Sequence, residues 1–167
     1  MSVLHFRKEL TDSPVAMDAA GFCVRQLHLP DDIQAWLALR DRAMKGEIPA
    51  ARPWTEADFQ REFLGKPWWR DEFAWTAVAT PTTSLSGSVF LGLREGADRV
   101  VPVIHWLLVD PAFRRRGVAR ALMSSLERAA WDAGWREVQL ETHTGWVAAV
   151  SFYQSIGYAP VGGRSPR

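Results

Sequence analysis

The chain has 167 residues, a length that suits one domain. Apolar residues make up 47% and charged residues 23%, the balance of a folded globular protein, which excludes a disordered chain. A formal net charge of +1 excludes a broad grip on nucleic acid, which needs dense Lys and Arg, but leaves room for one local anion site. The single cysteine, Cys23, excludes a disulfide framework within the chain and is expected to be a small buried apolar side chain. His5, His28, His105 and His143 lack ligand spacing, so no metal site is expected.

Residues 1–20 carry Arg7, Lys8, Glu9 and Pro14 without an apolar run. They read as a loose leader rather than a signal peptide, ahead of a single domain over 21–167. No stretch approaches the roughly 20 apolar residues of a membrane span, so a cytoplasmic location and no membrane partner are expected. Alternation then predicts a strand over Phe22–His28. Pro30-Asp31-Asp32 opens a helix with acids in its first turn and Ile33, Trp36, Leu37 and Met44 at helical spacing. Gly46 to Pro53 breaks that helix. Thr55 is positioned to cap a second one carrying Phe59 and Phe63, which Gly65 and Pro67 end.

Strands are predicted over Phe73–Ala79 and Leu85–Arg94, then over Val100–Val109, whose apolar run fits a central strand covered on both faces. Asp110-Pro111 stops it. A helix follows Gly117, with Val118, Leu122, Leu126 and Ala129 on one face, and Gly134 ends it. Val138–Thr142 is a strand, Trp146–Ile156 a helix, and Tyr158–Val161 a last short strand. The order β-α-α-β-β-β-α-β-α-β describes a mixed α/β (α+β-like) layer.

The segment Val109-Asp110-Pro111-Ala112-Phe113-Arg114-Arg115-Arg116-Gly117-Val118-Ala119 joins a buried strand to a helix through a basic loop. Amides at a helix start have no intrahelical partners, and the helix dipole adds positive charge there. Such a turn cradles phosphate. Gly117 admits close approach of a ligand, Ala119 keeps the next turn thin, and Arg114, Arg115 and Arg116 add charge. Walker-type and Gly-x-Gly-x-x-Gly patterns are absent, so nothing points to a nucleotide triphosphate or a dinucleotide.

The run Arg114-x-x-Gly117-x-Ala119, after Val109-Asp110-Pro111, resembles the acetyl-CoA signature of the GNAT superfamily of N-acetyltransferases. Ala149-x-x-x-Tyr153-x-x-x-Gly157-Tyr158 is similar to that family's downstream helix. The resemblance covers about residues 22–163. It implies a central mixed β-sheet flanked by helices and splayed between the fourth and fifth strands, Val100–Val109 and Glu137–Thr142, with the pantetheine arm in the splay. Leu107, Leu108 and Val109 would pair with the pantetheine amides, and an amide near Leu107 or Leu108 would polarise the thioester carbonyl. The pyrophosphate would rest on the backbone of Arg115, Arg116, Gly117, Val118 and Ala119. Tyr153 would be the general acid toward the thiolate.

The family's frequent glutamate base is replaced by Val103, which leaves His105, on the same strand face, and Glu141 as candidates; His143 or a water chain are weaker alternatives. The family's asparagine at the start of the last helix is replaced by Trp146. Residues 46–72 would shape the acceptor site, with Trp54, Phe59, Trp68 and Trp69 as an aromatic wall suited to an apolar, aromatic or cationic amine. The resemblance implies acetyl transfer from acetyl-CoA to a primary amine of a small molecule or peptide, in a ternary complex. A non-catalytic acyl-CoA-binding or sensing module is the alternative, and a homodimer is compatible with either.

Overall fold

A computed structural model describes residues 2–46 and 52–162. Seven strands and four helices run in the order β1 (Val3–Glu9), β2 (Phe22–Gln26), α1 (Ile33–Met44), α2 (Glu56–Phe59), β3 (Ala74–Ala79), β4 (Leu85–Glu95), β5 (Val100–Val109), α3 (Val118–Asp132), β6 (Glu137–His143), α4 (Val147–Ser155) and β7 (Ala159–Pro160). One sheet holds all the strands in the order β2-β3-β4-β5-β6-β1-β7. Every neighbouring pair is antiparallel except β5 and β6.

That parallel pair shares only Val103↔Gln139 and Ile104↔Leu140, while both strands run on to Val109 and His143. They therefore fork beyond the pairing, which is the splay that the family resemblance implied. The strand β4 floors both layers. Its Gly87, Val89 and Leu91 face α3 and an aliphatic core with Val118, Leu122 and Leu126. Its Ser88 and Phe90 face α1 and an aromatic core with Trp36, Phe59, Phe63 and Trp69.

The α2 cap is as expected: Thr55 accepts from the Asp58 amide, and Asp58 answers to the Thr55 amide at 2.7 Å. The helix then widens over Gln60–Leu64, closing with Gly65 N–H to Gln60 C=O. The acids before α1 are different. Asp31 and Asp32 precede its first turn, and Asp32 instead holds the Arg25 guanidinium (2.7 and 3.0 Å) and the His28 amide. The centre of the expected break over Gly46–Pro53, residues 47–51, lies outside the described residues.

Two expectations are corrected. Residues 3–9, expected within a loose leader, form β1, paired with β6 along its whole length. The next stretch is fastened across α3 by Met17 N–H to Ser124 Oγ (2.8 Å), with Leu10 and Ala19 buried. Only Phe6 of β1 is fully buried, so apolar alternation is faint there, and its partner strand lies about 130 residues away in the chain. Lys8 is not a solvated leader charge: it bonds the buried Glu127 (2.9 Å), which also accepts from the Tyr158 hydroxyl (3.0 Å). The second correction is Cys23, which is exposed. Phe22 and Val24 take the packed face of the edge strand, and period-two alternation turns Cys23 outward.

Candidate active site

A cavity of about 1390 Å³ fills the fork between β5 and β6. One end lies at the start of α3. Gly117 is left-handed (φ 83) and Arg115 is too (φ 62), a conformation that a side-chain-bearing residue adopts at a cost of roughly 1–2 kcal/mol. The loop they curl is braced from behind. Asp110 caps the turn at Pro111–Phe113 by accepting from the Ala112 amide (2.9 Å), and its other oxygen takes Arg42 Nε at 2.6 Å. Arg42 also reaches the Leu85 carbonyl (3.1 Å), and Arg114 the Ala43 carbonyl (3.3 Å). The C-terminal end of α1 is thus latched to the loop.

The first intrahelical bond of α3 runs from Ala121 N–H to Gly117 C=O, so the amides of Val118 to Arg120 lack intrahelical partners. The side chains of Arg114, Arg115 and Arg120 line the cavity, and none has a carboxylate partner among the described residues. Sequence reasoning missed Arg120. It sits in the first turn of α3, where side chains lean toward the helix N-terminus, and it reaches Ser155 of α4. The Arg116 side chain, expected at the phosphates, points elsewhere: it lies on the Phe22 ring (5.0 Å) and near Phe113 (5.7 Å). Those two rings meet edge to face and draw the guanidinium toward β2.

Midway, Leu107, Leu108, Val109, Val118 and Ala119 line the cavity. The β4–β5 register slips here, from Ser88↔Leu108 to Phe90↔His105, so that Trp106 and Leu107 oppose Val89 alone. Trp106 takes φ 54. A bulge of this kind leaves one residue outside the ladder, with its amide free to face the cavity. Tyr153 of α4 stands on the opposite wall. It is buried, lines the cavity, and its hydroxyl has no partner among the described residues; burial pushes its pKa up.

The far end is aromatic and charged. His105 stacks flat against Trp68, ring centres 4.2 Å apart at 12°. The stack lies directly over Gly92, where a Cβ would come within 2.7 Å of Trp68 and 2.8 Å of His105. Trp68 is pinned by its carbonyl, which accepts from the Leu93 amide (3.1 Å). Burial pushes the His105 pKa down to about 4, against the smaller opposing pull of Glu141. Glu141 lies 3.5 Å from both Arg94 Nη1 and His5 Nδ1. His143 meets Trp146 edge to face, and Val103 is largely buried in the cavity lining.

The expected aromatic wall is redistributed. Phe59 and Trp69 are core residues packed with Trp36 and Phe63, and Trp54 covers Trp36 and the Arg40 guanidinium. Of the four, only Trp68 reaches the cavity, joined there by Trp106 and Trp146. Nothing in the spacing of Trp106 distinguished it from a strand core residue. Among the described residues no group of three or more His, Cys, Asp or Glu could hold a metal ion, and no helix is long and apolar enough to cross a membrane.

Residues 33–158 match the acetyltransferase (GNAT) family. The chain belongs to that family. Among curated relatives, a mycothiol acetyltransferase from Thermobispora bispora is 31% identical over 144 residues, covering 83% of this chain and 46% of that protein. The chain spans about half the length of the first curated relatives it matches, 53% and 46%. Among solved structures, a GCN5-related N-acetyltransferase from Sphaerobacter thermophilus superposes with TM-score 0.77 at 20% identity, over 95% of this chain and 48% of that one. An aminoglycoside N-acetyltransferase solved in complex with CoA gives 0.65 at 19% identity, over 92% and 97%. At these identities the structures establish the GNAT fold: a mixed sheet of seven strands flanked by helices.

Proposed function

We propose that this GNAT domain transfers an acetyl group from acetyl-CoA to a primary amine of a small molecule or peptide, by direct attack in a ternary complex. The observation that carries the reading is the forked cleft between β5 and β6, whose one end meets the amides of α3 that lack intrahelical partners, among three arginines with no carboxylate partner among the described residues. The diphosphate would take the Gly117–Ala119 turn, with Arg114, Arg115 and Arg120 offsetting its charge. The arm would lie along Leu107–Val109, and the bulge amide at Trp106 or Leu107 would polarise the thioester carbonyl.

The amine nitrogen attacks that carbon, the C–N bond forms, and the C–S bond breaks. Tyr153, raised by burial, holds its proton at neutral pH. A phenol above the thiol's pKa of about 8.5 acts best as a hydrogen-bond donor to the departing sulfur, while the ammonium formed in the attack supplies the proton. His105 is neutral across physiological pH and faces the acceptor end; Glu141 is the second route for the amine proton. Val103 in place of a glutamate, and a base as weak as His105, support the second reading, a domain that binds acyl-CoA without turnover.

The test is calorimetric binding of acetyl-CoA to the wild type and to Gly117→Glu, with CoA release followed across an amine panel. The variant should keep its fold and lose binding. Unchanged affinity removes the cradle. Tight binding without release for any amine favours the non-catalytic domain.

A further inference from the structure

Arg94 and Glu141 form the only ion pair of opposite charge on the cavity lining at the acceptor end, among the described residues. Their side chains are 49% and 50% exposed, and 3.5 Å separates Nη1 from Oε1. That distance is too long for a hydrogen bond, as is the 3.5 Å from Glu141 to His5. Arg94 commits one donor, to Gln139 Oε1 at 3.0 Å. Both ions thus keep most of their hydrogen-bonding capacity, four of five N–H groups on one side and about four lone-pair sites on the other. An exposed pair of this kind adds about 0–1 kcal/mol to stability, so stability does not explain its place in the cleft.

We propose that the acceptor is a zwitterion, a free α-amino acid or a conjugate that keeps its α-amino and α-carboxyl groups, whose carboxylate pairs with Arg94 while its ammonium first meets Glu141. The proposal rests on the acetyl-transfer reading. A simple cationic amine entering here meets repulsion from Arg94, and an anion meets it from Glu141; a molecule carrying both charges on one carbon matches two opposite charges set side by side. The wall also carries Trp68 stacked on His105, Trp106, Trp146 and the exposed Val3, rings that suit an apolar or aromatic side chain.

The reaction balances as acetyl-CoA plus ammonium giving amide, CoA thiol and one released proton. Acetylation removes the positive charge, so the product is an anion beside Glu141, which favours its departure.

The experiment measures CoA release by the full chain with matched acceptors: phenylalanine, phenylalaninamide and phenethylamine, then tryptophan and tryptamine, and leucine and 3-methylbutylamine. The amino acid should exceed its carboxylate-free partner by roughly 10- to 100-fold in kcat/KM, the range of one charge-assisted contact. Arg94→Gln should collapse that ratio toward one by raising KM for the amino acid, Arg94→Lys should restore part of it, and calorimetric acetyl-CoA affinity should not follow either change. Equal or better turnover of the carboxylate-free amines overturns the zwitterion while leaving acetyl transfer standing. Bound acetyl-CoA with no release from any acceptor overturns both.

Discussion

The two faces of β4 are built from different materials and do different work. Toward α3 the packing is aliphatic, with Val89 and Leu91 against Val118, Leu122 and Leu126, and Gly87 lets the helix close in: a Cβ there would lie 2.9 Å from both the Leu108 carbonyl and Val118. Toward α1 it is aromatic, with Trp36 fully buried between Phe59, Phe63 and Phe90, its indole N–H donating to Ser88 Oγ at 2.8 Å. The aliphatic face carries the helix whose amides form the proposed phosphate cradle. The aromatic face ends in the Trp68–His105 stack at the proposed acceptor end, again over a glycine. Close packing on either face fixes one end of the cleft, and substitutions should separate them.

The largest effect is expected at Trp36→Ala, which removes the centre of the aromatic core: stability should fall by about 3–5 kcal/mol, read by urea unfolding. A loss below about 1 kcal/mol would mean that this face is loosely filled. Gly87→Ala should cost about 1–3 kcal/mol by lifting α3, and weaken acetyl-CoA binding in the same measure. Tyr153→Phe should lower kcat roughly 10- to 100-fold with acetyl-CoA affinity kept, seen by comparing turnover with calorimetry; equal turnover removes the phenol from the chemistry.

Gly92→Ala should displace the Trp68–His105 stack and raise acceptor KM several-fold with little change in acetyl-CoA affinity, the reverse of Gly87→Ala in its kinetic signature. Smallest is a pH effect. His105 is held near pKa 4 when folded, against 6.5 when unfolded. As pH falls from about 6.5 toward 4 the unfolded chain takes up a proton that the folded one refuses, so stability declines through that window and the decline levels off below it. His105→Gln should flatten that part of the stability curve. The same low value means that any activity rise between pH 6 and 8 reports the acceptor amine or another group, and the His105→Gln variant should keep the shape of that rise.

The proposed cofactor end was legible because the features that suggest it are local. A strand stop, a basic turn, Gly117 and an apolar helix face lie within about twenty consecutive residues, and backbone rather than side chains would form the proposed cradle. What escaped was set by packing at a distance. Arg116 follows the rings of Phe22 and Phe113, and Arg120 is aimed by its helix at α4. Among the aromatics, Phe59 and Trp69 turn into the core around Phe63, while Trp68 stacks on His105 over Gly92, a difference that residue type does not carry. The first strand carries a single buried residue, Phe6, and its identity depends on β6. Cys23 failed for the same reason in reverse: residue type predicted burial, but an edge strand has a face that nothing covers.

The bond between Arg42 and Asp110 has a thermodynamic corollary. It ties α1, which packs the aromatic core beneath the proposed acceptor end, to the turn proposed for the diphosphate, so a shift of one drags the other. Coupling through such a tie is reciprocal: the factor by which bound acetyl-CoA changes acceptor affinity must equal the factor by which acceptor changes acetyl-CoA affinity. Cutting the tie should bring both factors toward one together.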